Sequence, residues 1–272
     1  MLLILKAIFL GVVEGLTEFL PISSTGHLIV AERVIGFKDA AELFTVVVQI
    51  GAIAAVVWYY RVDILSKVTG LFKREDKSIK FWVNLIIATI PAGLIGLALD
   101  KTLQKYAVPR TVAWALILGG MALLAVEVYH RAPRSPSAAR LDEVTPKQAL
   151  GVGFAQVMAL IPGVSRSGAT IVGGLLAGLD RVTATAFSFY LSIPIMVLAS
   201  GYKLAKHHSE ISSLPGGAAA LAAGVISAFV TGLFAVSWLI KYISKHNFKG
   251  FAYYRIAFGC LILALLALGY LN

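Results

Sequence analysis

The chain has 272 residues, of which 58% are hydrophobic and 14% charged, and its mean hydropathy is +0.84. Soluble domains carry about 25% charged residues, so this composition excludes an ordinary soluble fold and fits an all-α integral membrane protein with one membrane domain over residues 1–272. The net charge of +10 is read as basic cytoplasmic loops, with no nucleic-acid partner, and the lone Cys260 excludes an intrachain disulfide or a cysteine-held metal cluster.

Residues 1–20 are apolar but interrupted by Lys6, Glu14 and Glu18, and they stop at Pro21. No basic leader or cleavage site stands here, so no signal peptide is expected. Residues 28–36 resume the apolar run briefly. Neither half spans a membrane alone, and two short helices around a Pro/Ser/Gly break read as a re-entrant hairpin. Such irregular backbone is stable at membrane depth only when buried in protein or lining a wet cavity. Residues 41–60 form the first predicted span, followed by a basic loop with Lys67, Lys73, Arg74, Lys77 and Lys80. Residues 81–99, with a kink expected at Pro91, and 112–129 form the second and third. The Pro- and Arg-rich stretch 130–147 reads as a surface linker. Residues 149–179 form a second broken segment, and 184–202, 216–240 and 251–271 complete six spans.

The order is broken segment, three spans, broken segment, three spans. Residue matches support a repeat of about 1–131 against 147–272. Leu20-Pro21 faces Ile161-Pro162. With one extra residue allowed, Ser23, Gly26 and Ile29-Val30 face Ser165, Gly168 and Ile171-Val172. Three spans per copy is an odd number, so the second copy is expected to be inverted, an arrangement that brings broken helices together near the midplane. One side then carries eight basic residues: Lys6, Arg33, Lys38, Lys101, Lys105, Arg110, Lys203 and Lys206. The other carries fourteen, in 61–80, 131–147, at Arg181 and in 241–249. The richer side is expected to be cytoplasmic, with both termini outside.

The chemistry concentrates in the two breaks. Glu14 and Glu18 are one helical turn apart on one face, so they repel and call for a cation: a metal ion, Arg166 or His27. The alternative is an interfacial helix with both carboxylates in water. Ser23, Ser24 and Thr25 either cap the next helix or supply a nucleophile, with His27 as base or itself the attacking group. In the second break, Ser165-Arg166-Ser167-Gly168-Ala169-Thr170 opens a helix, whose free N–H groups and positive dipole end suit phosphate. Arg166 adds planar donors, Ser165, Ser167 and Thr170 add hydroxyls, and Gly163 and Gly168 permit close backbone approach. An intramembrane arginine costs about 3 kcal/mol or more unless paired, which makes Arg166 a functional candidate. No Walker A lysine, zinc-binding His-Glu-x-x-His or dinucleotide glycine motif is present.

The motifs Glu14-Gly-Leu-Thr-Glu18-Phe-Leu-Pro21-Ile-Ser-Ser24-Thr-Gly-His27 and Pro162-Gly-Val-Ser165-Arg166-Ser167-Gly-Ala-Thr170 resemble those of the bacterial undecaprenyl-pyrophosphate phosphatases, also called bacitracin-resistance proteins. The resemblance covers essentially the whole chain. It implies six spans plus two re-entrant hairpins in inverted repeats. It also implies a hydrolase of the cytoplasmic (inner) membrane that converts undecaprenyl pyrophosphate to undecaprenyl phosphate and phosphate, with its chemistry on the outer face. That reaction recycles the carrier lipid for peptidoglycan and other cell-wall polymers. The resemblance points to Glu14, Glu18, Ser24, His27, Ser165, Arg166, Ser167 and Thr170 as site residues, and to a divalent cation, Mg or Ca, with Glu18 and Glu14 as metal candidates. On this reading Ser24 attacks the terminal phosphorus, His27 manages its proton, and Arg166 with the hydroxyl cradle holds the pyrophosphate. Attack by water or by His27 stays open, as do a homodimer and the rival function of a polyprenyl-phosphate transporter or flippase.

Overall fold

Apolar runs with interruptions at Pro, Gly and Ser fold as eleven helices in a computed structural model that describes residues 1–37, 39, 43–129, 139–207 and 216–271. Among the described residues there is no strand. The helices are α1 (Leu2–Glu18), α2 (Ser24–Ile35), α3 (Leu43–Tyr59), α4 (Arg61–Phe72), α5 (Asp76–Lys105), α6 (Pro109–Tyr129), α7 (Pro146–Met158), α8 (Arg166–Leu176), α9 (Arg181–Lys206), α10 (Gly217–Ile243) and α11 (Lys249–Ala267). α5, α6, α9, α10 and α11 are long and apolar enough to cross a membrane, and α3 with α4 makes a sixth candidate bent by 71°.

Both broken segments form helical hairpins, α1–α2 and α7–α8. The second helix of the first hairpin starts at Ser24, earlier than the apolar run at 28–36 suggested, because Gly26 and His27 pack inward with it. α7 starts at Pro146, within the expected linker. Thr145 caps it, accepting from the Gln148 amide while Gln148 reaches back to the Thr145 N–H. The linker residues 130–138 lie outside the described residues.

The basic stretch after the first span is not a loop. It folds as α4, which holds Lys67, a turn at Lys73 and Arg74, and the start of α5, which holds Lys77 and Lys80; Asp63 stands in the first turn of α4, 3.7 Å from Lys67. Lys67 also reaches Asp142 at 3.1 Å and lies over the Phe81 ring, so this charge is anchored rather than solvated. Exposed Val62, Leu65 and Phe72 suit a helix lying at a lipid interface. Pro91 and Pro194 lie inside α5 and α9, which run through them as single helices.

The helix ends gather on two sides. Lys6 donates to the Gly36 carbonyl at 3.2 Å and Arg33 to the Tyr270 carbonyl at 2.9 Å, placing both ends of the first hairpin with the end of α11. On the opposite side Gln148 donates to the Ala177 carbonyl at 3.1 Å across the second hairpin. Arg181 pairs there with buried Glu127, which also accepts from the Phe248 amide at 3.0 Å. The hairpins therefore enter from opposite sides. α1 packs on α10 and α7 on α5, while α6 pairs with α11 and α3 with α9.

Small residues set the tightest of these contacts. A Cβ at Gly51 on α3 would lie 2.1 Å from the Val225 carbonyl of α10, and one at Gly15 on α1 would lie 2.4 Å from that of Ala228. Backbone cannot give way there, so Gly51→Ala should destabilise the protein by about 1–3 kcal/mol. A lowered thermal midpoint in detergent checks this, and an unchanged midpoint refutes it.

Candidate active site

The two breaks end in the same unusual backbone. Ser23 has φ 69° and ψ 100°, and Ser165 has φ 71° and ψ 117°, a region that non-glycine residues rarely occupy. Each is the N-cap of the helix that follows, so the starts of α2 and α8 both turn inward. Ser165 accepts from the Gly168 amide at 3.1 Å, whereas the Ser23 side chain makes no cap bond to α2. The first turn of α2 thus keeps N–H groups that its own cap does not satisfy.

The breaks meet at Glu18. Its Oε2 accepts from the Ser24 hydroxyl at 2.6 Å, and its Oε1 accepts from Arg166 Nη2 at 3.1 Å. Arg166 is further held by the Ser188 carbonyl at 3.1 Å and the Met196 sulfur at 3.1 Å, with its guanidinium 5.7 Å from the Phe19 ring. Of the two side-chain cations expected to compensate the glutamates, Arg166 pairs with Glu18, whereas His27 bonds the Ser23 carbonyl and Tyr254. Two helix N-termini, one carboxylate, one hydroxyl and one guanidinium therefore share one point in the protein interior.

Glu14 is 1% exposed, and neither of its oxygens has a hydrogen-bond partner. The Gln49 amide faces it from α3 without forming a well-shaped bond. Arg166 Nε is also buried and unpartnered. Among the described residues five buried side-chain atoms lack partners, and three of them belong to Glu14 and Arg166. Native interiors hold few such groups, and one that persists calls for a partner such as an ion, a water or a ligand. An orphan carboxylate one turn before Glu18 on α1 and an orphan N–H on the guanidinium that pairs with Glu18 suit a cation together with an anion.

The other predicted residues are placed as follows. His27 donates from Nδ1 to the Ser23 carbonyl at 2.7 Å, and its Nε2 meets the Tyr254 hydroxyl at 2.6 Å. It stacks on Phe258 with ring centroids 4.3 Å apart. The expected bond between His27 and Ser24 is not formed, because both ring nitrogens are engaged elsewhere. Glu18 takes the Ser24 proton contact instead. Ser165 donates to Ser167 at 3.0 Å, and Ser167 donates to the Leu20 carbonyl at 2.9 Å, tying one hairpin to the other. Thr170 bonds the Arg166 carbonyl at 2.8 Å and Ser188 Oγ at 2.6 Å. These hydroxyls brace the turn that carries Arg166. A Cβ at Gly163 would lie 2.6 Å from Val112 Cα and one at Gly168 2.6 Å from Arg255 Nη1, so both positions are closely packed.

Sequence reasoning passed over Arg255 and Tyr254. Arg255 is 1% exposed and makes five hydrogen bonds to carbonyls, including Pro21 and Val164 in the two breaks. Its signal was available: it is an arginine inside an apolar run, the feature that singled out Arg166.

With the geometry in place, comparison with known proteins is informative. A model of the family described as "Bacitracin resistance protein BacA" matches residues 7–261. The chain belongs to the bacitracin-resistance protein family. Undecaprenyl-diphosphatase 1 of Burkholderia ambifaria is 49% identical over 274 residues, covering 100% of this chain and 98% of the relative. Undecaprenyl-diphosphatase of Methylobacillus flagellatus is 48% identical over 97% of this chain and 98% of its own length. That of Neisseria gonorrhoeae is 46% identical over 100% and 98%. In this member of the bacitracin-resistance family, both motifs that carried the resemblance lie at the meeting point of the hairpins.

Proposed function

We propose that this chain is a membrane phosphatase that hydrolyses undecaprenyl diphosphate to undecaprenyl phosphate and inorganic phosphate, the substrate after which its relatives are named. The observation that carries the reading is the convergence of two helix N-termini and Arg166 on the Ser24–Glu18 pair. That is a donor-rich site for a phosphate group with an activated hydroxyl inside it. Such a protein recycles the carrier lipid of cell-wall synthesis and raises tolerance to bacitracin.

Ser24 Oγ attacks the terminal phosphorus while its proton passes to Glu18 Oε2. The bond from that phosphorus to the bridging oxygen breaks, and the lipid monophosphate leaves with the proton. Water then attacks the phosphoserine phosphorus and gives a proton to Glu18, the bond from that phosphorus to Ser24 Oγ breaks, Oγ takes the proton from Glu18, and phosphate departs. Arg166, released from part of its hold on Glu18, and the amides at the starts of α2 and α8 stabilise the equatorial oxygens. His27 shapes the entrance with half-exposed Tyr254 rather than holding the nucleophile's proton.

Glu14 fits a hard divalent cation such as Mg or Ca, since it keeps two buried oxygens without partners, and Glu18 would join it by giving up its bond to Ser24 or to Arg166. Substrate oxygens and water would complete the coordination of such a cation. When bound, such a cation neutralises charge on the pyrophosphate and polarises its oxygens.

The exchange of packing partners between the hairpins, α1 on α10 and α7 on α5, supports an inverted repeat of 1–131 and 147–272. So does the shared backbone of Ser23 and Ser165. The charge imbalance supports an orientation with both termini outside, and the family resemblance supports residence in the cytoplasmic membrane with the site reached from the outer side.

The deciding experiment is phosphate release from undecaprenyl diphosphate by the purified protein in detergent, where no second compartment exists. Turnover is expected. Binding without release, with movement of the lipid once the protein is in vesicles, would instead establish a carrier.

A further inference from the structure

The proposed chemistry needs two backbone breaks from distant parts of the chain to be held at a fixed spacing. One buried side chain bonds to both. Arg255 of α11 donates to the Val164 carbonyl at 2.7 Å and the Pro21 carbonyl at 3.3 Å. It also reaches the Gly163 carbonyl at 3.5 Å and those of Ala115 and Leu116 on α6 at 3.3 and 3.4 Å. Broken helices leave carbonyls without helical partners, and at membrane depth water does not replace them. A planar guanidinium serves several such carbonyls at once, whereas an ammonium is a point donor on a flexible stem.

The surroundings are shaped to this fork. A Cβ at Gly119 on α6 would lie 2.2 Å from Arg255 Nη2, and one at Gly168 on α8 2.6 Å from Nη1. The preceding residue, Tyr254, holds His27 at 2.6 Å. The Ser167–Leu20 bond links the same two breaks at a second point. One turn of α11 therefore touches both hairpins without contributing any group to the Ser24–Glu18–Arg166 cluster.

We infer that Arg255 is a positioning residue that fixes the two breaks against each other and so sets Arg166 against the Ser24–Glu18 pair. Its kinetic consequences rest on the phosphatase reading; its structural consequence does not. Arg255→Lys keeps a positive charge but loses the fork. Gly119→Ala keeps the guanidinium but pushes its end aside from a helix remote from the cluster.

The test uses the full chain in detergent, with kinetics, melting and hydrogen exchange on both variants. Each should lower kcat at least about tenfold while KM stays within about threefold and the melting midpoint is nearly unchanged. The double variant should be no worse than the poorer single variant, because with lysine at 255 no fork remains to be displaced. Amide exchange should rise in 19–27 and 159–168 while α9 and α10 keep their protection. The inference is overturned if Arg255→Lys keeps kcat within about twofold, or if the two losses multiply. It is also overturned if exchange rises uniformly with a lowered midpoint, the mark of a role in stability alone. Absence of phosphate release by the unsubstituted protein would sink the functional reading, and the exchange pattern would still decide the role of Arg255.

Discussion

Arg166→Ala should reduce phosphate release at least about a thousandfold, a loss of about 4 kcal/mol in transition-state stabilisation. The guanidinium pairs with Glu18 of the first hairpin at 3.1 Å, and it retains an unpartnered Nε. Charge that builds on the equatorial oxygens of the transferred phosphoryl group meets a donor fixed by the Ser188 carbonyl, and not one that must be recruited. The substitution also strands Glu18, and breaking a buried ion pair costs about 3–5 kcal/mol. Melting curves must therefore accompany the assay. Arg166→Lys separates the two effects: it keeps charge beside Glu18 but cannot bond Glu18 and the Ser188 carbonyl through one planar group. It should fold normally and still lose about a hundredfold in turnover. Near-normal release by the folded alanine variant would remove Arg166 from the site.

The parts of this fold that were legible in the sequence are those written locally. Pro21 and Pro162, each followed by serine and glycine between apolar runs, announce the two hairpins, and the hairpins are there. The apolar lengths announce the spans. α4 was hidden because Lys67, counted with Lys73, Arg74, Lys77 and Lys80, resembles part of a basic loop; Phe81 and Asp142, both distant from it in sequence, help to anchor it. His27 was expected to serve Ser24 because the two are three residues apart. Its actual partner, Tyr254, lies 227 residues away, and no local pattern carries that contact. The hydroxyls of Ser165, Ser167 and Thr170 were read as ligands for phosphate, and in the structure their bonds brace the turn that carries Arg166. Residue type identified which groups meet, and tertiary packing decided which of them touch.

That distinction bears most on Ser24. Ser24→Ala should abolish turnover, by at least about a thousandfold, while the fold persists. The hydroxyl is 2.6 Å from Glu18 Oε2, close enough to pass its proton as it attacks. Its loss leaves one Glu18 oxygen without that donor, at a cost of about 1–3 kcal/mol, while the other stays paired with Arg166. A drop in activity alone does not separate a nucleophile from a residue that merely orients water. Substrate labelled in its terminal phosphate does. Brief exposure followed by acid quenching should transfer label to the unsubstituted chain and none to Ser24→Ala. If the alanine variant keeps activity within about tenfold, roughly 1.4 kcal/mol, Ser24 is not the attacking group. If activity disappears and the unsubstituted chain never takes up label, water attacks directly with Ser24 and Glu18 orienting it. Glu18 remains the proton acceptor in both routes, since it is the carboxylate that touches the hydroxyl and the guanidinium together.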